Sequence, residues 1–94
     1  MASDVNDITM NFKEDDVLLV KETDKVILSK GAWATIIFRY QQWVRGKNEY
    51  SPDKYTIRRY RKKDGEYSPQ GKFNISSADQ AQKIIAALQK WINK

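Results

Sequence analysis

Residues 54–63 read KYTIRRYRKK, and this decapeptide decides the fold of the 94-residue chain. Tyr55, Thr56, Ile57 and Tyr60 are strand formers, so the segment reads as a β-strand. Six of its ten residues are Lys or Arg, which requires at least one face to be wet or covered by an anion. On its N-terminal side, residues 45–53 (RGKNEYSPD) collect Gly, Asn, Ser and Pro and read as a mobile hairpin loop. Before that loop, residues 32–44 (AWATIIFRYQQWV) are dense in β-branched and aromatic side chains and read as another strand. Alternation puts Ala34, Ile36, Phe38 and Tyr40 on one face of it and Trp33, Thr35, Ile37, Arg39, Gln41 and Trp43 on the other. The second set has the character of a functional face.

Further out, residues 16–29 (DVLLVKETDKVILS) are rich in Val, Ile and Leu but broken by the polar stretch 21–25, which fits either a long bent strand or a tight hairpin. Residues 64–70 read as a loop and residues 72–75 as a short last strand. The period then changes. Ala81, Ile84, Ile85, Leu88, Trp91 and Ile92 recur at three- and four-residue steps, as in an amphipathic helix, and Ser77 with Gln80 forms a capping-box pair at its start. The predicted fold is therefore α+β: a four-stranded antiparallel twisted sheet (ββββα) with one C-terminal helix. The helix is expected to cover one sheet face with its apolar stripe and to leave the other free. Residues 1–12 show no sustained period and read as a disordered or frayed head, leaving residues 13–94 as a single domain. A core this small makes a partner subunit, in a homodimer, part of the expectation.

Seventeen Lys plus Arg face twelve Asp plus Glu, for a net charge of +5, and His and Cys are absent. Residues 1–24 hold seven acids and two bases, whereas residues 25–76 hold four acids and twelve bases. The missing Cys removes disulfides and thiolate chemistry, with a cytoplasmic location as the default and nucleoid association compatible with it. The missing His removes the Ser-His-Asp and Cys-His constellations. Glu14, Asp15 and Asp16 form the densest acid cluster and read as solvated charge, not as a metal site. The four glycines are scattered and build no phosphate loop. The chain is thus expected to be no enzyme and to need no cofactor or metal. It shows no signal-like head and no apolar run near the roughly 20 residues of a membrane span, so no membrane partner is expected.

What remains is a mixture of cations and rings. Arg39, Trp43, Arg45, Lys47, Arg58, Tyr60, Arg61, Lys63 and Lys72 are the candidate nucleic-acid-binding residues, because cations follow phosphates while flat rings stack on unpaired bases. They are expected to project together from one uncovered sheet surface. The blander reading makes the run 58–63 a solvated edge strand that resists aggregation, and makes Trp33 and Trp43 core residues. The acidic head is expected to compete with nucleic acid for the basic groove.

Several of these segments are similar to one known family. Residues 55–60 (YTIRRY) resemble its apolar-x-Ile-Arg-x-aromatic strand, and a loop with Gly65-Glu66 leads to Pro69-Gln70-Gly71-Lys72 and then Ile75-Ser76 before the final helix. Upstream, Gly31 with Trp33, then Arg39 and Trp43, resemble a second strand that ends in an aromatic before a polar loop. On these residues, spanning roughly 16–93, the chain resembles the transcriptional coactivator positive cofactor four and its bacterial relatives, small single-stranded-DNA-binding proteins. The resemblance implies a homodimer whose sheets form paired grooves for unpaired strands. By matching position, Trp43 would be the stacking aromatic, Arg58 the cation of the third strand and Lys72 the basic residue before the last strand. Two departures stand out: Arg61 occupies a position where eukaryotic members carry Trp, and Asn74 replaces a small Gly. They imply a groove more electrostatic than usual.

The expected function is sequence-tolerant binding of single-stranded DNA, with RNA not distinguished, in transcription regulation or strand handling, alongside the transcription machinery. The alternative is a protein-interaction module that docks its basic sheet onto an acidic partner.

Overall fold

The alternation read in residues 33–44 is the organising feature of the computed structural model, which describes residues 4–93. In chain order the strands are Phe12–Glu14 (β1), Val17–Ser29 (β2), Trp33–Val44 (β3), Glu49–Tyr50 (β4), Lys54–Lys63 (β5) and Glu66–Ile75 (β6), followed by the helix Ala78–Ile92 (α1). They form one curled antiparallel sheet in the order β1-β2-β3-β5-β6, with β4 paired to the end of β3. The α+β class and the C-terminal helix match the sequence reading. The sheet, however, has six strands and not four, because two short ones flank the long ones. Among the described residues no helix is long and apolar enough to cross a membrane.

The polar interruption at residues 21–25 does not make a hairpin. β2 runs straight through it and is kinked by a bulge, where Thr23 is the extra residue between the Glu22–Tyr40 and Asp24–Arg39 pairs. The acid cluster proves to be a turn: Asp15 and Asp16 both have positive φ (50° and 64°) and close the β1–β2 hairpin. Aspartate tolerates that conformation better than most side chains. The same geometry recurs at Asp64-Gly65 (φ 53° and 82°), so β6 starts at Glu66 and residues 66–70 are strand, not the expected loop. Pro69 fits because β6 is a sheet edge and the register shifts between Arg59 and Tyr60.

The core lies on one face. Ala34, Ile36 and Phe38 of β3 are fully buried, together with Thr56 of β5, and Tyr40, Tyr60 and Tyr67 are nearly so. Thr56 keeps its buried hydroxyl satisfied by Asn74 Oδ1 at 2.7 Å, which gives Asn74 a structural role that Gly could not fill.

This core is closed by the N-terminal segment and not by the helix. Residues 1–3 of the expected frayed head lie outside the described residues, but residues 4–11 pack as a strap, with Val5, Ile8 and Met10 at 8, 5 and 8% exposure. The polar residues of β2 anchor it. Lys25 Nζ donates to the carbonyls of Asn6 and Ile8, both at 2.7 Å, and Glu22 Oε1 accepts from the Met10 amide at 3.1 Å and the Thr9 hydroxyl at 3.0 Å.

Helix α1 begins as its sequence requires. Ser77 Oγ accepts from the Gln80 amide at 3.1 Å, while Gln80 Oε1 reaches back to the amide of Ser76. Its apolar stripe leans toward the opposite sheet face without covering it. No helical residue is buried, and a groove of about 460 Å³ separates Ile84, Ile85 and Leu88 from Leu28, Ile37 and Ile57. The sheet thus has a strap face and a helix face.

Candidate functional site

The register divides the nine predicted residues between these two faces, which corrects the expectation of one common surface. Arg58, Tyr60 and Lys72 belong to the strap face, whereas Arg39, Trp43, Arg61 and Lys63 follow the odd-numbered alternation onto the helix face. Arg45 and Lys47 lie exposed in the turn after β3. The physical reason is the period of a strand: a continuous basic run sends alternate side chains to opposite sides.

On the strap face, Arg58 and Lys72 stand directly opposite one another on β5 and β6. Like charges in that position repel. They border a hollow of about 380 Å³ shared with Tyr40, Gln42, Asn74 and the strap residues Thr9 to Phe12. Arg58 is half-buried, and its Nε is shielded from solvent with no hydrogen-bond partner among the described residues. Such a donor calls for an acceptor in the hollow. Tyr60 cannot serve there as a stacking ring, because it is 6% exposed and belongs to the core cluster. Burial pushes its phenol pKa above the ordinary 10.0, against the opposing pull of the neighbouring Arg58 charge.

On the helix face, Trp43 is half-buried and meets Tyr50 edge-on, with ring centres 5.1 Å apart at 73°. Beside it, Arg45 lines a shallow hollow of about 220 Å³ together with Glu14 and Asp15, so the acidic β1–β2 turn partly neutralises this end. Arg39 Nε donates to the Thr23 hydroxyl at 3.0 Å and is otherwise exposed.

At the other end of β3, Trp33 is 42% exposed, with the guanidinium carbons of Arg59 and Arg61 at 4.6 and 5.4 Å from its ring centre. Neither Trp33 nor Arg59 was among the nine. The signal that finds them is the odd-numbered alternation itself, which already placed Trp33 beside Arg39 and Trp43. Ten residues at about 3.3 Å each separate Trp33 from Trp43, so these are distinct ends of the face.

Among the described residues, the one ion pair within 4.0 Å joins Lys83 to Asp79 on the helix. Among the described residues no sheet cation comes within 4.0 Å of a carboxylate oxygen, although register sets Asp24 opposite Arg39 and Glu66 opposite Lys63. Nor does any group of three or more Asp or Glu gather where it could hold a metal ion, again among the described residues. Comparison with protein-family models, curated proteins and solved structures finds no match to the chain.

Proposed function

We propose that the chain binds single-stranded nucleic acid through the cations and rings of its sheet, in transcription regulation or in the handling of exposed strands, and that it performs no catalytic step. One observation carries the reading: Arg58 with Lys72 on the strap face, and Arg59 with Arg61 on the helix face, are neighbouring cations with no carboxylate oxygen within 4.0 Å among the described residues. Unpaired cations crowded on adjacent strands repel, and a polyanion relieves that repulsion. The resemblance to the positive cofactor four family is consistent with this proposal and contributes the roles of Trp43, Arg58 and Lys72.

A homodimer belongs to the same proposal. Ile85, Leu88, Trp91 and Ile92 of α1 are 48 to 74% exposed, and Val26, Leu28 and Phe73 of the facing sheet are each 55% exposed. A 15-residue helix with no buried residue is marginal alone. A second copy offers the same helix stripe and the same groove, which is the self-complementarity a two-fold interface requires.

Fluorescence titration with single- and double-stranded oligonucleotides of matched length, at two salt concentrations, tests the reading. Neutralising about five phosphates gives a slope of log affinity on log salt near −3.5 for a single strand. A flat salt response sinks the proposal, and equal affinity for an acidic peptide points to the protein-docking alternative.

A further inference from the structure

Trp33, Arg59 and Arg61 form a cluster that the fold does not need. Register places Arg61 directly across from Trp33, and Arg59 on the diagonal, across from Thr35. Both guanidinium groups lie within the roughly 6 Å over which a cation is held by an aromatic face. The cluster sits toward the Arg61 end of β5, whereas α1 leaves the sheet beside Tyr55, the partner of Ile75. The apolar groove under the helix therefore does not include it. On the β6 side the patch is open, because Arg59 pairs with Gly71, where even an added Cβ would meet nothing within 4 Å.

A purely structural account makes the arginines a cover for an indole at the sheet surface. One guanidinium would suffice for that. The second stands two residues away on the same strand face and adds like-charge repulsion, with no carboxylate oxygen within 4.0 Å of either group among the described residues. An anion placed between them removes the repulsion. The guanidinium groups now lying over the indole must swing onto that anion to free a ring face, and the freed face supplies what a bare anion site lacks, a flat apolar surface on which a second ring can lie.

We propose that Trp33, Arg59 and Arg61 constitute a nucleotide subsite, in which the indole stacks on an unpaired base and the two guanidinium groups take the neighbouring phosphates. The proposal rests on the single-strand-binding reading and gives it a stacking residue that the nine sequence candidates omitted. It also sets that residue at the far end of β3 from Trp43, so an extended strand could use both.

The test is equilibrium binding of a short oligothymidylate to the wild-type chain and to three variants. Trp33→Ala weakens binding by roughly 5- to 150-fold, the range measured for loss of one stacked base, while Trp33→Phe keeps most of the affinity. Arg59→Gln with Arg61→Gln lowers the salt slope by about 1.4, two phosphates at roughly 0.7 each. In a Trp43→Phe/Trp91→Phe background the remaining indole is Trp33, and its emission is quenched on binding. Wild-type binding that survives unchanged in Trp33→Ala, with no quenching of Trp33, overturns the subsite and leaves the wider reading standing. A polyglutamate peptide that matches the oligonucleotide at this patch overturns it as well. Absence of oligonucleotide binding by the wild-type chain removes the wider reading, and the subsite falls with it.

Discussion

Replacing Ile8 with Ala measures how much the N-terminal strap contributes to the fold. Ile8 is 5% exposed and belongs to the same cluster as Ala34, Ile36 and Phe38, so its side chain closes the strap face. Truncating a buried Ile to Ala costs about 2 to 5 kcal/mol in protein cores, with the low end where the surroundings can collapse into the space. A strap one chain thick can settle inward, so about 2 kcal/mol is expected here. For a domain of this length that corresponds to a fall in Tm of about 8 to 16 °C. The assay is thermal unfolding followed by circular dichroism at one fixed protein concentration, since the proposed self-association would make Tm depend on concentration. Asn6→Ala is the control: Asn6 is exposed and contributes a backbone carbonyl to Lys25, so its loss should cost no more than about 0.5 kcal/mol. An Ile8→Ala protein that melts within about 2 °C of the wild type would refute the argument that the strap seals the sheet.

If a second copy fills the groove, the wild type should sediment as a dimer and Leu88→Glu, which places a charge on the exposed helix stripe, as a monomer; equal masses would remove the second copy from the groove. The raised pKa of Tyr60 makes its contribution to stability complete below the ordinary 10.0 and lost as pH climbs through its higher folded value. The Tyr60→Phe protein should therefore lack part of the alkaline fall in Tm seen with the wild type above that pH, and identical alkaline profiles would count against it. If the acidic strap competes with nucleic acid, Asp7→Asn should raise oligonucleotide affinity by at most about a few-fold at low salt, with the gain disappearing at high salt. Equal affinities at low salt would retire the competition.

The long strands were legible because their period is strong. Residues 33–44 alternate without interruption, and the structure buries the four residues that the alternation selects, Ala34, Ile36, Phe38 and Tyr40. The helix cap was legible for a similar reason, since Ser77 and Gln80 act locally. The strap was not. Val5, Ile8 and Met10 follow no regular step, and what holds them is Lys25 and Glu22, which in the sequence look like an interruption of β2. The β5–β6 turn carries an Asp-Gly signal that the surrounding Gly, Ser and Pro mask, so residues 66–70 look like loop in the sequence although they are strand. At the candidate site the cations and rings were legible as residue types, but their division between two faces was not. The face each cation occupies depends on a register that only pairing fixes.

That division gives the helix face an internal order. Val26, Ile37, Ile57 and Phe73 lie across four strands as one apolar row, and the next positions along β3 and β5 are Thr35 with Arg59 and then Trp33 with Arg61. The face changes from apolar to cationic within about 7 Å, two strand positions. An interface seated on the apolar half would leave the guanidinium groups at its polar rim, where charge is tolerated because it stays hydrated. Association and anion binding would then draw on adjacent parts of one surface without competing for the same side chains. The strap face cannot offer this arrangement, because residues 4–11 already occupy its apolar half, beside the hollow around Arg58 and Lys72. The helix face is therefore the one able to meet both a second copy and a polyanion. The unpaired arginines around Trp33 mark where on it the polyanion would lie.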